Sequence, residues 1–200
     1  MHLRRALLTL LFSLSLAAVA AAQSVAVDVH AAFSSWSEFN GTDAGVGGRL
    51  TVRPLPLLGL DADVTWYPGD CPSGRVASFS GQRLEGLFGA TIGPTRGRLR
   101  PFVKAGGGFL RIGEPPRAFA CVAIFPPPLS CTLAGGGTLP TWEFGGGIEV
   151  DAPSRTFVRA DIADRLVKYP GVTLDSSFRR RDAAFFGGAV RVTVGAGWRF

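Results

Sequence analysis

The sequence predicts an all-β fold: eight antiparallel strands, connected up and down and closed into a transmembrane β-barrel with short periplasmic turns and longer extracellular loops. Three observations predict it. Beyond residue 22 the apolar residues recur with a period of two, so each segment has one apolar and one polar face. The connections between these segments are alternately short and mostly longer. The chain ends on a strand whose last residue is Phe200.

Residues 1–22 open with His2, Arg4 and Arg5, run uncharged from Ala6 and finish Ala20-Ala21-Ala22. A basic start, a short apolar run and small residues before a cut describe a secretory signal peptide, cleaved after Ala22. Residues 23–200 then form one barrel domain. Of the 21 Lys and Arg, Arg4 and Arg5 leave with the leader; against 15 Asp and Glu this leaves a modest positive balance that does not point to nucleic acid. Glycine is in excess, 27 of 200 residues, about twice the ~7% average. No later stretch is apolar for long enough to span a bilayer as a helix, so insertion falls to strands.

Alternation places the strands near 25–36, 44–53, 57–67, 82–93, 101–111, 141–150, 156–165 and 186–200. Pro54 to Pro56, Gly93 to Arg100 and Asp151 to Arg155 are the short connections, and with a periplasmic N-terminus they all fall on one side. Ser37 to Asp43, Pro68 to Gly81, Ile112 to Pro140 and Leu166 to Phe185 fall on the other. The apolar faces carry sets such as Val25/Val27/Val29/Phe33, Leu58/Leu60/Val64/Trp66 and Trp142/Phe144/Ile148/Val150. The opposite faces carry Asp28, Asp61, Asp63, Glu85, Glu143, Glu149 and Asp161 together with Arg49, Arg53, Arg83, Lys104, Arg159, Arg191 and Arg199. Only Arg111 and Asp164 interrupt the apolar side, each placed at a strand end on the extracellular rim, where a charge costs little.

Period alone does not say which face points inward. A soluble, lipocalin-like barrel would bury the apolar face around an apolar ligand. Against it stand the aromatic residues Trp36, Trp66, Tyr67, Trp142, Trp198 and Phe200 at strand ends, where interfacial girdles form, and the presence of only Lys104 and Lys168 as lysines. The last strand closes Thr193-x-Gly195-x-x-Trp198-x-Phe200. This ending resembles the carboxy-terminal assembly signal of bacterial outer-membrane barrels, and the whole mature chain resembles in architecture the small eight-stranded OmpA/OmpX-type family. The resemblance implies residence in the bacterial outer membrane among its lipids and lipopolysaccharide, and assembly by the barrel-assembly machinery.

Eight strands enclose a space that side chains fill, so the seven acids and seven bases of the polar face are expected to form a lumenal charge network. Their balance argues against an ion-selective pore, which needs a ring of like charge. The triplets Gly106-Gly107-Gly108 and Gly145-Gly146-Gly147 fall mid-strand and are expected to relieve crowding or permit curvature. No G-x-G-x-x-G or Walker pattern is present, and no cofactor is called for. After the leader His30 is the only histidine; Asp28 shares its face, but no nucleophile motif accompanies it, so no catalytic residues are assigned. One His without Cys at ligand spacing gives no metal site either.

Cys71, Cys121 and Cys131 all fall in long outer loops, where disulfides persist. Cys121–Cys131 would close a short loop around Phe125-Pro126-Pro127-Pro128; Cys71 pairing with either is also open, and one Cys stays odd. The fourth long loop carries Lys168, Arg179, Arg180 and Arg181 against Asp175 and Asp182, a composition suited to contact with anions. These readings give a non-enzymatic surface barrel with a structural, adhesive or ligand-binding role in its loops. A small pore and a lumenal lipid-modifying enzyme are the other classes.

Overall fold

The computed structural model describes residues 24–38, 41–69, 81–114, 124–175 and 177–200. The expected signal peptide, Cys71 and Cys121 lie outside the described residues. Eight long strands make the wall: β1 (Ser24–Trp36), β2 (Gly41–Leu55), β3 (Leu58–Tyr67), β4 (Arg83–Ile92), β5 (Leu99–Ile112), β6 (Gly137–Asp151), β7 (Thr156–Tyr169) and β10 (Phe185–Arg199). Each pairs antiparallel with its chain neighbour in the wall, and β1 closes the ring on β10. The closure is long: eleven register pairs run from Ala26 opposite Arg199 to Trp36 opposite Ala189. A closed ladder leaves no unpaired strand edge in the hydrocarbon layer.

Several strands run further than alternation alone suggests, chiefly at their extracellular ends. β7 continues from 165 to Tyr169 and β6 begins at Gly137 rather than 141. Two long loops also carry structure that polarity did not reveal. A one-turn helix α1 (Leu129–Thr132) follows β5, and a short hairpin of β8 (Thr173–Leu174) and β9 (Arg180–Arg181) separates β7 from β10. These pieces are too short for a periodic signal to register.

The barrel is apolar outside and polar inside. Val29, Val46, Val64, Phe88, Val103, Phe144 and Ile162 project outward from β1 to β7, while the charged residues of the opposite parity face inward. No helix among the described residues is long and apolar enough to cross a membrane; the strands supply the crossing. Asp164, however, is not at a strand end. It lies on the outer wall of β7 opposite Phe144 and Val190, because β7 extends five residues beyond it.

The inward glycines explain how so many side chains share one lumen. A Cβ on Gly108 would meet the carbonyl oxygen of Gly86 on β4, and one on Gly145 the carbonyl of Ile162 on β7. Glycine there lets neighbouring strands curl against each other.

Candidate functional site

Parity along each strand aims the polar residues at the axis, and register stacks them in layers. In the middle layer Asp63 accepts hydrogen bonds from Arg49 Nε (2.9 Å), Arg191 (2.9 Å) and Thr65 Oγ1 (3.0 Å). Asp161 accepts from Lys104 Nζ (2.6 Å) and Arg49 (3.1 Å), and Arg159 Nε lies 3.5 Å away. Lys104 also reaches Glu143 at 3.1 Å, and Arg159 bonds Asp61 at 3.0 Å while its guanidinium sits 4.2 Å from the centre of the Phe102 ring. Strands far apart in sequence are thereby cross-linked through the centre of the barrel. His30 belongs to the same layer: Nε2 is 3.0 Å from Thr65 Oγ1, and Nδ1 is 3.4 Å from Asp28.

Towards the extracellular end, Arg83 pairs with Asp43 and Arg165 with Glu85. Arg165 also donates to Ser34 Oγ (2.5 Å), and Tyr67 donates to Glu85 (3.2 Å). At the periplasmic end Arg53, Arg100 and Arg199 gather around Glu149, with Asp151 beside Arg100 and Arg199. All fourteen charged residues read from alternation thus point to the lumen.

Arg165 and Arg100 enlarge that set. Arg165 is fully buried on β7, and continuing the Arg159/Asp161 parity four residues would have found it. Arg100 looks like part of an exposed basic turn with Arg96 and Arg98; β5 instead begins at Leu99 and turns Arg100 inward. Two girdle assignments are corrected in the same way. Trp36 and Tyr67 have lumenal parity and are buried, whereas Trp66, Trp142, Trp198 and Phe200 are exposed on the outside. The Trp36 ring lies 4.9 Å from the Arg165 guanidinium and 5.5 Å from that of Arg83, a cation–π stack above the charges.

Above this stack the lumen becomes apolar. Trp36, Leu110, Ile112, Leu139, Val167, Tyr169 and Ala189 from the wall pack around Leu129 and Leu133, which the loop after β5 lowers into the mouth. The β8–β9 hairpin holds that loop down. Leu174 N–H donates to Pro127 O (2.9 Å), Thr173 Oγ1 to the same carbonyl (2.8 Å), and Thr132 and Thr173 hydroxyls meet at 3.1 Å. Cys131 in α1 is disulfide-bonded, its partner lying outside the described residues.

The outer face of this cap is different in character. Asp175 accepts the backbone N–H groups of Arg179 and Ser177 (both 2.9 Å) and the Arg181 Nε (3.0 Å), with Arg179 Nε 3.5 Å away. Those bonds, the Arg179 N–H first, hold its carboxyl below the usual carboxylate range. Arg180 pairs with Asp182 at 2.6 Å. The hairpin therefore displays three arginines, each held by an aspartate, together with the exposed ring of Phe178, and the neighbouring loop exposes Phe125. Among the described residues no group of three His, Cys, Asp or Glu is arranged to hold a metal.

An apolar outer wall, a charged lumen and a closed eight-strand ladder define an integral membrane β-barrel. No protein-family model matches the sequence, and no curated protein matches it. Among solved structures the chain is similar to Neisserial surface protein A, with 13% identity over 89% of this chain and 97% of that one and a TM-score of 0.53. It is also similar to the N-terminal β-barrel domain of Pseudomonas aeruginosa OprF, at 14% identity, 88% and 97% coverage and a TM-score of 0.51. A major outer membrane protein from Thermus thermophilus shares 13% identity over 90% of this chain and 100% of that one, with a TM-score of 0.52. At these identities the likeness is one of fold, and the fold is that of the small eight-stranded outer-membrane barrels.

Proposed function

We propose that the protein resides in the bacterial outer membrane as a surface-exposed binding barrel, whose lumen is a structural core and whose third and fourth outer loops engage polyanionic glycans. Lipopolysaccharide phosphates are the nearest such ligand. The observation that carries this reading is the docked cap. The loop after β5 and the β8–β9 hairpin bond to each other over an apolar plug, leaving Arg179, Arg180, Arg181, Phe125 and Phe178 outward. Rigid arginine forks match phosphate geometry, and their preorganisation lowers the entropy lost on binding. Delivery follows from the expected leader, cleaved after Ala22, and from recognition of the Thr193–Phe200 ending by the assembly machinery.

A conducting role is disfavoured because the paired charges and the plug occupy the axis. Catalysis is not part of this proposal, and His30 is read as a structural member of the charge network. The test is binding to lipopolysaccharide micelles at several salt concentrations, with Arg179, Arg180 and Arg181 replaced together by Gln. The triple variant is expected to bind about tenfold more weakly and with a shallower salt dependence, since exposed charge pairs are screened. Unchanged affinity rejects the proposal.

A further inference from the structure

The periplasmic mouth holds an arginine that the lumenal network leaves over. Glu149 Oε1 already accepts from Arg199 (2.5 Å) and lies 3.0 Å from Arg100. Asp151 serves the same two residues, at 2.8 Å for Arg199. Arg53 reaches Glu149 only at 3.6 Å, beyond hydrogen-bonding range. Its side chain is more than nine-tenths buried, and its Nε has no hydrogen-bond partner. A buried guanidinium whose one carboxylate is distant and already shared is under-satisfied, which is costly.

That arginine lines a cavity of about 630 Å³ between the β2–β3 and β4–β5 turns. Ser24, Thr95 and the exposed Arg96 add polar groups around it, while Leu55 and Leu57 supply an apolar wall. No ion pair occupies Arg96 among the described residues. Two arginines, two hydroxyls and an apolar side match a phosphate carried on, or close to, an apolar group.

We propose that this cavity is a phosphate-binding site, with Arg53 as its buried anchor and Arg96 as its outer clamp. An oxyanion seated there accepts from the end of the Arg53 guanidinium, which Glu149 meets only at 3.6 Å. The site lies at the opposite end of the barrel from the loops discussed above and does not depend on their ligand. Two sources share the chemistry: free phosphate in the periplasm, and the headgroup of an anionic phospholipid in the adjoining leaflet, which would place its chain along Leu55 and Leu57.

The test titrates the protein, purified from membranes in detergent, with inorganic phosphate by calorimetry. In parallel, native mass spectrometry counts phosphatidylglycerol retained after exposure to mixed phosphatidylcholine and phosphatidylglycerol micelles. Saturable binding of at least one probe is expected; phosphate alone identifies the free anion and phosphatidylglycerol the lipid. Arg53→Gln is expected to weaken binding about tenfold and Arg96→Gln about threefold. Arg155→Gln, an exposed arginine on the β6–β7 turn outside the cavity, is expected to change nothing. Absence of saturable binding, full binding in Arg96→Gln, or an equal loss in Arg155→Gln overturns the proposal. Arg96 is exposed, so its variant decides the matter even if Arg53→Gln does not fold.

Discussion

The wall and the lumen of this barrel are built from alternate residues of the same strands, yet they obey opposite rules. On β3 the outward set Leu60, Val64 and Trp66 meets hydrocarbon, while Asp61, Asp63 and Thr65 between them meet other side chains. Outside, a charge has no partner; inside, it has several, and removing one strands the rest. The two ends of the lumen differ as well. The extracellular end finishes in an apolar plug with Arg83 and Arg165 each paired to its own carboxylate, while at the periplasmic end Arg53 shares Glu149 with Arg100 and Arg199 and reaches it only at 3.6 Å. Closure at one end and a charged recess at the other suit a protein that presents loops to the exterior and keeps its axis filled.

The comparison breaks most readily at the centre of the lumen. Asp161→Ala leaves Lys104, Arg49 and Arg159 facing one another, and is expected to lower unfolding free energy by about 3–5 kcal/mol. Urea titration of the protein refolded into vesicles measures the loss. A smaller loss than for an exposed-loop control would mean that lumenal water, rather than Asp161, solvates those cations. On the wall, Phe88→Arg adds a charge midway along β4. Its expected cost is about 2–4 kcal/mol, read in the same assay; a neutral result would contradict a membrane-facing wall.

The cap tests whether plug and barrel are separate units. Leu133→Ala is expected to cost about 2 kcal/mol, at the low end for a buried leucine because a loop can settle into the space. Faster proteolysis of the loop after β5 should accompany unchanged heat-dependent mobility of the barrel in SDS. Planar-bilayer recording of the same variant shows whether the plug alone blocks the axis; silence assigns the block to the charges beneath it. The smallest effect concerns Asp175. Its carboxyl titrates lower in the folded loop than in the unfolded chain, so its contribution is complete above the unfolded value, about 3.9, and is lost as pH falls through the lower folded value. Hairpin opening, followed by protease nicking at 176–179, should therefore rise only in strong acid, and Asp175→Asn should raise it at neutral pH.

Much of this architecture is readable from residue order because a membrane barrel imposes a simple code. Hydrocarbon on one side and a packed polar lumen on the other demand strict alternation, and alternation assigns every member of the set from Asp28 to Arg199 to its face. Closure needs no additional signal beyond an even number of strands with short and long connections. What residue order left open was decided where that code lapses. Trp36 and Tyr67 are aromatic and near strand ends, so composition suggested a girdle, but the parity of β1 and β3 turns them inward. Arg100 stands where β5 outruns its apolar pattern, and only pairing with β6 shows that the strand already includes it, whereas Arg165 ends the stretch read from alternation and shares the parity of Arg159 and Asp161. The plug of Leu129 and Leu133, and the arginine left over at Glu149, arise from contacts between segments distant in sequence. No local periodicity encodes such contacts; they exist because the closed ring brings all eight strands around one axis.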